Sequence, residues 1–429
     1  SQERGDNMEV LFKTIIEHVK APSVDRNGPF RLQVSSLDYS SYVGVIGIGR
    51  IERGSVARND PVSIISVDGT TRQGRLMQIL GFSGLKRIEK QRALAGDIIA
   101  FSGIDELKIS DTVCSPEAID PLPPLTVDQP TISMTFQVND SPFAGKEGKF
   151  VTSRNLRDRL MEELLHNVAL RVEEMESADR FKVSGRGELH LSILVENMRR
   201  EGYELAISRP EVIIKEIDGK QCEPYESLSV DIDEGHQGQV MELFGERRAE
   251  LKNMIPDGSG RVRLDYIVPT RGLIGVRSSF LTLTSGSGLM YHAFDHYGPH
   301  FSDDLAQRHR GVLVSTETGM ARGYALFNLQ ERGQMMVDHG TQVYEGMVVG
   351  INNRNQDLNV NPLKGKQLTN IRASGTDENI ILTPPIKVTL EFALEFIDDD
   401  ELVEVTPDSI RVRKKFLKEH QRKRGGRPN

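Results

Sequence analysis

The sequence predicts a multidomain α+β protein: an antiparallel β-barrel, two ferredoxin-like βαββαβ domains and a mostly β C-terminal domain. Its 429 residues exceed what a single hydrophobic core can serve, so the chain must divide. From Phe30 to Cys114, short runs alternate apolar with polar residues and break at glycines, with little helical periodicity. Strands of that spacing close into barrels. Past residue 128 strand and helix periods follow one another in the order βαββαβ, and the order then repeats.

Each element follows from its residues. EVLFKTIIEHVK, residues 9–20, puts Val10, Leu11, Ile15, Ile16 and Val19 at helical spacing before APSVDRNGP breaks the pattern. FRLQVSSLDY, YVGVIGIGRIERG, PVSIISV and GDIIAFSGI supply barrel strands, and the proline-rich PEAIDPLPPLTVDQP marks a domain boundary as a linker. TISMTFQVND alternates as a strand. Leu156, Leu160, Met161, Leu164, Leu165 and Val168 form an apolar helical stripe behind the cap candidate Ser153. LRVEEM and RFKVSG are strands, ELHLSILVENMRREG is a second amphipathic helix, and YELAIS is the closing strand. The second copy runs through SLSVDID, a helix over QVMELFGERRAELKNM, RVRLDYIVP, a helical run near GLIGVRSSFLTL, and LMYHAFDHY. From Arg310 the chain turns mostly to strands, ending in an acidic run, IDDDELVEV, and a basic tail, RVRKKFLKEHQRKRGGRP. The acidic run reads as a solvated surface and the tail as a disordered solubilising end, unless the tail's cations serve to attract phosphate. The expected domains are 1–27, 28–120, 128–215, 222–305 and 310–429.

A net charge of −8, from 54 basic and 62 acidic residues, argues against wholesale coating of DNA but leaves room for local basic patches. Cys114 and Cys222 form neither a disulfide framework nor a CxxC metal pair, and read as buried thiols in a reducing cytosol. No apolar run is long enough to span a bilayer, and SQERGDNMEV lacks the pattern of a secretory signal. The expectation is a soluble cytoplasmic protein with no membrane partner.

Motifs for catalysis are missing. AGKEGKF, at 144–150, lacks the spacing of a phosphate loop because Phe150 stands where a magnesium-binding hydroxyl is needed. Gly145, Lys146, Gly148 and Lys149 instead make a basic turn, open to RNA phosphate or to solvent. His292, His296 and His300 would share a helical face, but LMYHAFDHY alternates as a strand, and Gly298 and Pro299 break it before the third histidine. No metal is expected. There is no GxSxG elbow, and His190 in GELHLSIL reads as a helix residue packed on its sheet.

The residues resemble the non-catalytic domains of translational GTPases. VGVIGIGRIERGSV, AGDIIAFSGI and DTVC look like the family's domain II, a translation-factor β-barrel; VSGRGELHLSILVENMRREGYELAISRPEV looks like domain III; SGSGLMYHAFDHY is similar to the close of domain V. Pro210 runs into the region Glu223 to Val230 with no room for a tRNA-mimicking domain IV, which departs from elongation factor G. TNIRASGTDE and LEFIDDDELVEVTPDSIRVRK resemble the C-terminal domain peculiar to the BipA/TypA family. That resemblance covers essentially the whole chain. It implies a GTP-binding domain before residue 1, with EVLFKTIIEHVKAP as its last helix and GTP and magnesium held there, so that this chain carries no cofactor. It further implies a monomeric ribosome-docking body of a GTPase acting in large-subunit assembly and in translation under cold or stress. Its partners would be both ribosomal subunits, rRNA, ribosomal proteins and A-site tRNA. The family's catalytic residues map onto none in this sequence.

Two stretches are candidate RNA contacts. NPLKGKQLTNIRASGTDE, residues 361–378, carries little that could fill a core. Lys364, Lys366 and Arg372, with Asn370 as a hydrogen-bonding partner and Gly365 for close approach, read as an RNA probe or as an ordinary surface loop. In the tail, Arg411, Arg413, Lys414 and Lys415 lead into further cations, and Arg411 and Arg413 share a face if the segment is a strand. The alternatives are a protein-only scaffold using the acidic residues Asp398 to Glu404, and a metal hydrolase built on the histidines. Titration of this chain with a fluorescent GTP analogue is expected to show no saturable micromolar binding, because a phosphate cradle and its magnesium hydroxyl are missing; saturation would contradict that expectation.

Overall fold

The computed structural model describes residues 8–20, 24–40, 42–84, 86–125, 129–167, 169–301, 308, 310–365 and 381–425. They fall into two compact units, one of residues 1–127 with 165–168 and one of the remainder.

In the first unit, apolar side chains on alternate strand positions, Leu32, Val34, Val62, Ile64, Ile99 and Phe101 among them, build one buried core. The eight-stranded antiparallel sheet runs Thr71–Arg75, Pro61–Ile65, Thr112–Cys114, Arg31–Ser40, Gly44–Arg53, Ile98–Ser102, Gln78–Ser83, Lys86–Glu89. Ser55–Ala57 pairs separately with Arg92–Leu94. The expected closed barrel is thus corrected to an open ladder among the described residues: its two end strands, TRQGR and KRIE, bury no side chain and do not pair with each other. The proline-rich run is no free linker as far as Leu125. Asp120 pairs with Arg31 at 2.5 Å and Arg53 at 3.1 Å, and the amides of Leu122 and Leu125 donate to the hydroxyls of Thr112 and Ser110. The helix Glu9–His18 forms where its spacing predicts, and none of its residues is buried.

The second unit contains both expected βαββαβ repeats. In the first, Ile132–Val138, helix Ser153–His166, Arg171–Glu174, Arg180–Gly185, helix Glu188–Glu201 and Leu205–Ile207 follow in chain order. Its sheet order, second strand, third, first, fourth, is that of the ferredoxin-like fold. The first helix is capped by Thr152, whose hydroxyl accepts from the Asn155 amide at 3.3 Å, one residue before the expected Ser153. The second ends at Gly202, whose φ of 98° is the left-handed conformation that closes helices. In the second repeat Lys220–Asp233, Gln237–Glu246, Glu250–Pro256, Arg261–Pro269, the helices Thr270–Leu273 and Val276–Leu283, and Leu289–Pro299 give the same strand order. Leu228, Val230 and Ile232 alternate inward, in one core with Phe244 and Phe280. Lys215–Ile217 adds a hairpin strand through Asp218 and Gly219, both at positive φ, as a tight primed turn requires.

The C-terminal segment has its own four-stranded sheet, Gly333–Met335, Val348–Asn352, Val312–Ser315 and Leu358–Val360, flanked by helix Gly323–Gln330. Its last hairpin leaves that sheet. Glu401–Val405 pairs with Leu205–Ile207, and Ile410–Lys414 follows outside it, so the first ferredoxin-like sheet gains two strands. Helix Leu390–Phe396 and the last hairpin therefore share an apolar core with the first ferredoxin-like repeat, while Leu313, Leu326 and Val349 belong to a second core of the C-terminal segment. Leu394 and Val403 sit in the same apolar cluster as Phe136 and Leu194. Among the described residues no helix is long and apolar enough to cross a membrane.

Leu394 is 1 % exposed in helix Leu390–Phe396. Leu394→Ala is expected to cost about 2–5 kcal/mol in denaturant unfolding. Because the core is shared, hydrogen exchange should quicken in 132–138 as well as in 401–414. Acceleration confined to the C-terminal segment would mean separate folding units.

Candidate nucleic-acid interface

Of the expected probe, Lys366, Asn370 and Arg372 lie outside the described residues. Lys364 is exposed. The segment leading to it is fixed to the start of helix Gly323–Gln330: the Arg322 amide donates to the Pro362 carbonyl at 2.9 Å, and Leu363 lies against Gly319. Gly365 does allow a close approach, of a neighbouring cation. A Cβ there would stand 2.7 Å from Nη1 of Arg322.

The tail is placed otherwise than its composition suggests. Ile410–Lys414 is a strand, so Arg411 and Arg413 do share a face, but that face looks inward. Arg411 pairs with Glu147 and, at 3.1 Å, with Glu404; Arg413 pairs with Asp140. Lys414 reaches Asp357 at 2.5 Å, Asp400 at 2.8 Å and Glu401 at 3.0 Å. Arg413 and Lys414 are 1 % and 2 % exposed, which keeps phosphate from reaching them, and Arg411 has both carboxylate partners in place. Of the four tail cations expected to meet RNA, the structure leaves Lys415 exposed. A helix, Glu419–Gly425, follows where a disordered end was expected.

The acidic run is corrected in the same way, because Glu401 and Glu404 are fully buried. Glu404 accepts from Asn139 at 3.0 Å, Ser141 at 2.9 Å and the Tyr344 hydroxyl at 2.6 Å, while Arg308 clamps Glu401 with two bonds of 2.8 and 2.9 Å. Burial alone would raise the Glu401 carboxyl, but Arg308 and Lys414 outweigh it and hold it below its ordinary value. Glu147 is likewise lowered against its burial, by the Thr406 hydroxyl and Arg411. Burial and the Glu404 charge drive the Tyr344 phenol upward.

The basic turn at 144–150 is bound up in this network. The amides of Gly145 and Gly148 donate to Glu204 at 3.1 Å each, so a carboxylate of the chain itself fills the concavity an external phosphate would take. Lys146 lies over the Phe143 ring at 4.1 Å. The histidines diverge: His292 meets Glu226 at 2.5 Å, His296 meets Asp295 at 2.6 Å, and His300 faces Glu223 at 3.5 Å. Among the described residues no group of three or more His, Cys, Asp or Glu is arranged to hold a metal. His190 does sit in helix Glu188–Glu201, its Nδ1 accepting from the Arg186 amide.

Sequence reading missed four cations. Arg310, Arg322, Arg332 and Arg354 are exposed on the C-terminal segment, and none has a carboxylate partner among the described residues. Arg322 and Arg332 bracket helix Gly323–Gln330, a placement that ARGYALFNLQERG signals once a helix is drawn across it.

Strands, repeats and C-terminal segment in this order define a protein of the translation elongation factor class. Residues 44–114 match elongation factor Tu domain 2, 220–308 match the elongation factor G C-terminus, and 310–419 match the TypA/BipA C-terminal domain. The chain is 59% identical over 426 residues to the large ribosomal subunit assembly factor BipA of Escherichia coli K12, covering 99% of this chain and 70% of that protein. It is 59% identical to the factor of the same name from Haemophilus influenzae, with 99% and 69% covered, and 56% identical to that of Buchnera aphidicola, with 98% and 70% covered. The chain belongs to the TypA/BipA family.

Removing one partner of a buried pair strands the other charge, so Arg411→Ala is expected to cost about 3–5 kcal/mol in denaturant unfolding. Lys415→Ala should stay within about 0.5 kcal/mol. Equal effects would contradict the inward-facing strand. Glu147 and Glu401 bind protons more weakly folded than unfolded, so their contribution to stability is complete above the ordinary value of 4.5 and declines as pH falls below it. Lys414 binds its proton more tightly when folded, and its contribution holds below 10.5 and fades as pH climbs past its folded value. Thermal melts across the pH range check both signs.

Proposed function

We propose that this chain is the ribosome-docking body of a factor that acts in large ribosomal subunit assembly and in translation under stress or cold, working in the cytoplasm as a monomer. The observation that carries it is the 59% identity, over 99% of this chain, to proteins named large ribosomal subunit assembly factor BipA. On this reading the first unit faces the small subunit and the ferredoxin-like repeats approach rRNA and ribosomal protein. The C-terminal segment reaches toward the peptidyl-transferase side and A-site tRNA. GTP and Mg²⁺ belong to a part of the relatives' length that this chain does not span.

The exposed Lys364 and the cations Arg322 and Arg332 support RNA as the partner of the C-terminal segment. The protein-only alternative relied on an acidic face at 398–404, and the burial of Glu401 and Glu404 removes much of its charge from the surface. Binding to purified large subunits, measured by co-sedimentation against salt, tests the reading. Each phosphate contact contributes roughly 0.7–0.9 to the log-log salt slope. Replacing Lys364, Lys366 and Arg372 by alanine should therefore flatten the slope by about two and weaken binding, with little change in stability. A variant with the parent's affinity and slope would refute the loop's role, and no sedimentation of the parent would refute ribosome docking.

A further inference from the structure

Two clefts meet at Asn353 on the C-terminal segment. One, of about 270 Å³, is lined by Gln330, Gln334 and Thr383; the other, of about 210 Å³, by Arg332, Arg354 and Gln356. Their walls are held by the backbone. The Asn353 amide donates to the Arg332 carbonyl at 2.9 Å, which sets the two arginine-bearing segments side by side. Asn352 fastens the turn that presents Arg354, its Nδ2 donating to the Gln356 carbonyl at 2.5 Å and its Oδ1 accepting from the Arg354 amide at 3.2 Å. Gly311 lies so close that a Cβ there would be 2.2 Å from the Gln356 carbonyl, so the turn has no room to shift inward.

The charge inside the clefts is one-sided. Asp357 lines the second cleft, but its carboxylate is taken by the Val312 amide at 2.9 Å and Lys414 at 2.5 Å. Glu331 also lines the second cleft and is exposed, one carboxylate against the two arginines. Arg332 and Arg354 have no carboxylate partner among the described residues, and each offers five N–H donors in a planar fork suited to phosphate. The side-chain amides of Gln334 and Gln356 present paired donors and acceptors of the kind that read base edges, beside Gln330 and Asn353, whose amide nitrogens donate to the Thr383 and Glu331 carbonyls at 3.4 and 3.5 Å and whose amide oxygens remain as acceptors. Clefts this small suit one extruded nucleotide, and RNA is read by sequence mostly where its bases are unpaired.

We infer that these joined clefts are an RNA subsite that takes one nucleotide of a single-stranded segment, with Arg332 and Arg354 on its phosphates and the amides on its base. The inference rests on the RNA-docking reading of the C-terminal segment, and is separate from the loop at 364–372.

The test is fluorescence anisotropy of the full-length factor with a short fluorescein-labelled single-stranded RNA of mixed sequence, free of self-pairing. Arg332→Gln with Arg354→Gln should weaken binding several-fold and lower the salt slope by about 1.4, since each single-strand phosphate contact contributes about 0.7. Asn353→Ala should weaken binding without moving the slope. Unchanged affinity and slope in the double variant would overturn the subsite, as would failure of the parent to bind. Equal binding to duplex RNA, lost equally in the variant, would overturn the single-strand assignment. If Lys364→Ala with Lys366→Ala leaves binding intact while the arginine variant loses it, the loop fails and the subsite stands; the reverse result overturns the subsite alone. Arg332, Asn353, Arg354 and Lys364 are solvent-facing, and matching melting curves identify a loss of affinity as a loss of contact.

Discussion

The larger unit depends on the pairing of Leu205–Ile207 with Glu401–Val405. That ladder carries Glu404 into the interior, where a bare carboxylate could not remain. A buried charge is tolerated only when its hydrogen-bonding capacity is filled. Here Asn139 and Ser141 from one loop, Tyr344 from a second stretch and Arg411 from a third fill it. The position of each is consequently tied to the others. The first ferredoxin-like repeat and the C-terminal segment are thus joined by a shared ladder, a shared apolar core and the bonds that converge on this side chain.

That lock also sorts the positive charge of the C-terminal segment. Arg308, Arg411, Arg413 and Lys414 face inward and are matched by Glu401, Glu147, Glu404, Asp140 and Asp357. Arg310, Arg322, Arg332, Arg354, Lys364 and Lys415 face solvent. The inner group sets the geometry, and the outer group is what a polyanion would meet. A protein with a net charge of −8 can present a local cationic surface because so many of its carboxylates are occupied internally.

Much of this was legible in the sequence. The two ferredoxin-like orders follow from local periodicity, because each strand and helix buries its own apolar face within a short reach of chain. The tail was not legible by the same means. RVRKK has the composition of a solvated end, and the partners that bury it, such as Asp140 and Glu147, lie far away in sequence. A signal was nonetheless present: ELVEVTPDSIRVRK alternates apolar with charged residues about a turn, with acid on one arm and base on the other. In the structure those arms pair as Glu401 with Lys414 and Glu404 with Arg411. The open ladder of the first unit escaped for the opposite reason, since nothing local says whether two polar end strands will meet. The solvent-facing arginines are scattered singly, and only the fold gathers them.

The hairpin that completes the first ferredoxin-like sheet has a consequence for synthesis. Asn139 and Glu404 are 265 residues apart, so nearly the whole unit must leave the ribosome before its own lock can close. Until then Leu205–Ile207 is a bare edge, with unpaired amides and carbonyls and apolar Val403 and Val405 not yet beside it. Vectorial folding from the N-terminus can build the barrel strands and the second ferredoxin-like repeat, but must hold the first repeat in waiting. The nascent chain therefore passes through a stage in which its earlier domain is less finished than a later one, and is most exposed to strand-borrowing from neighbours just before it is complete.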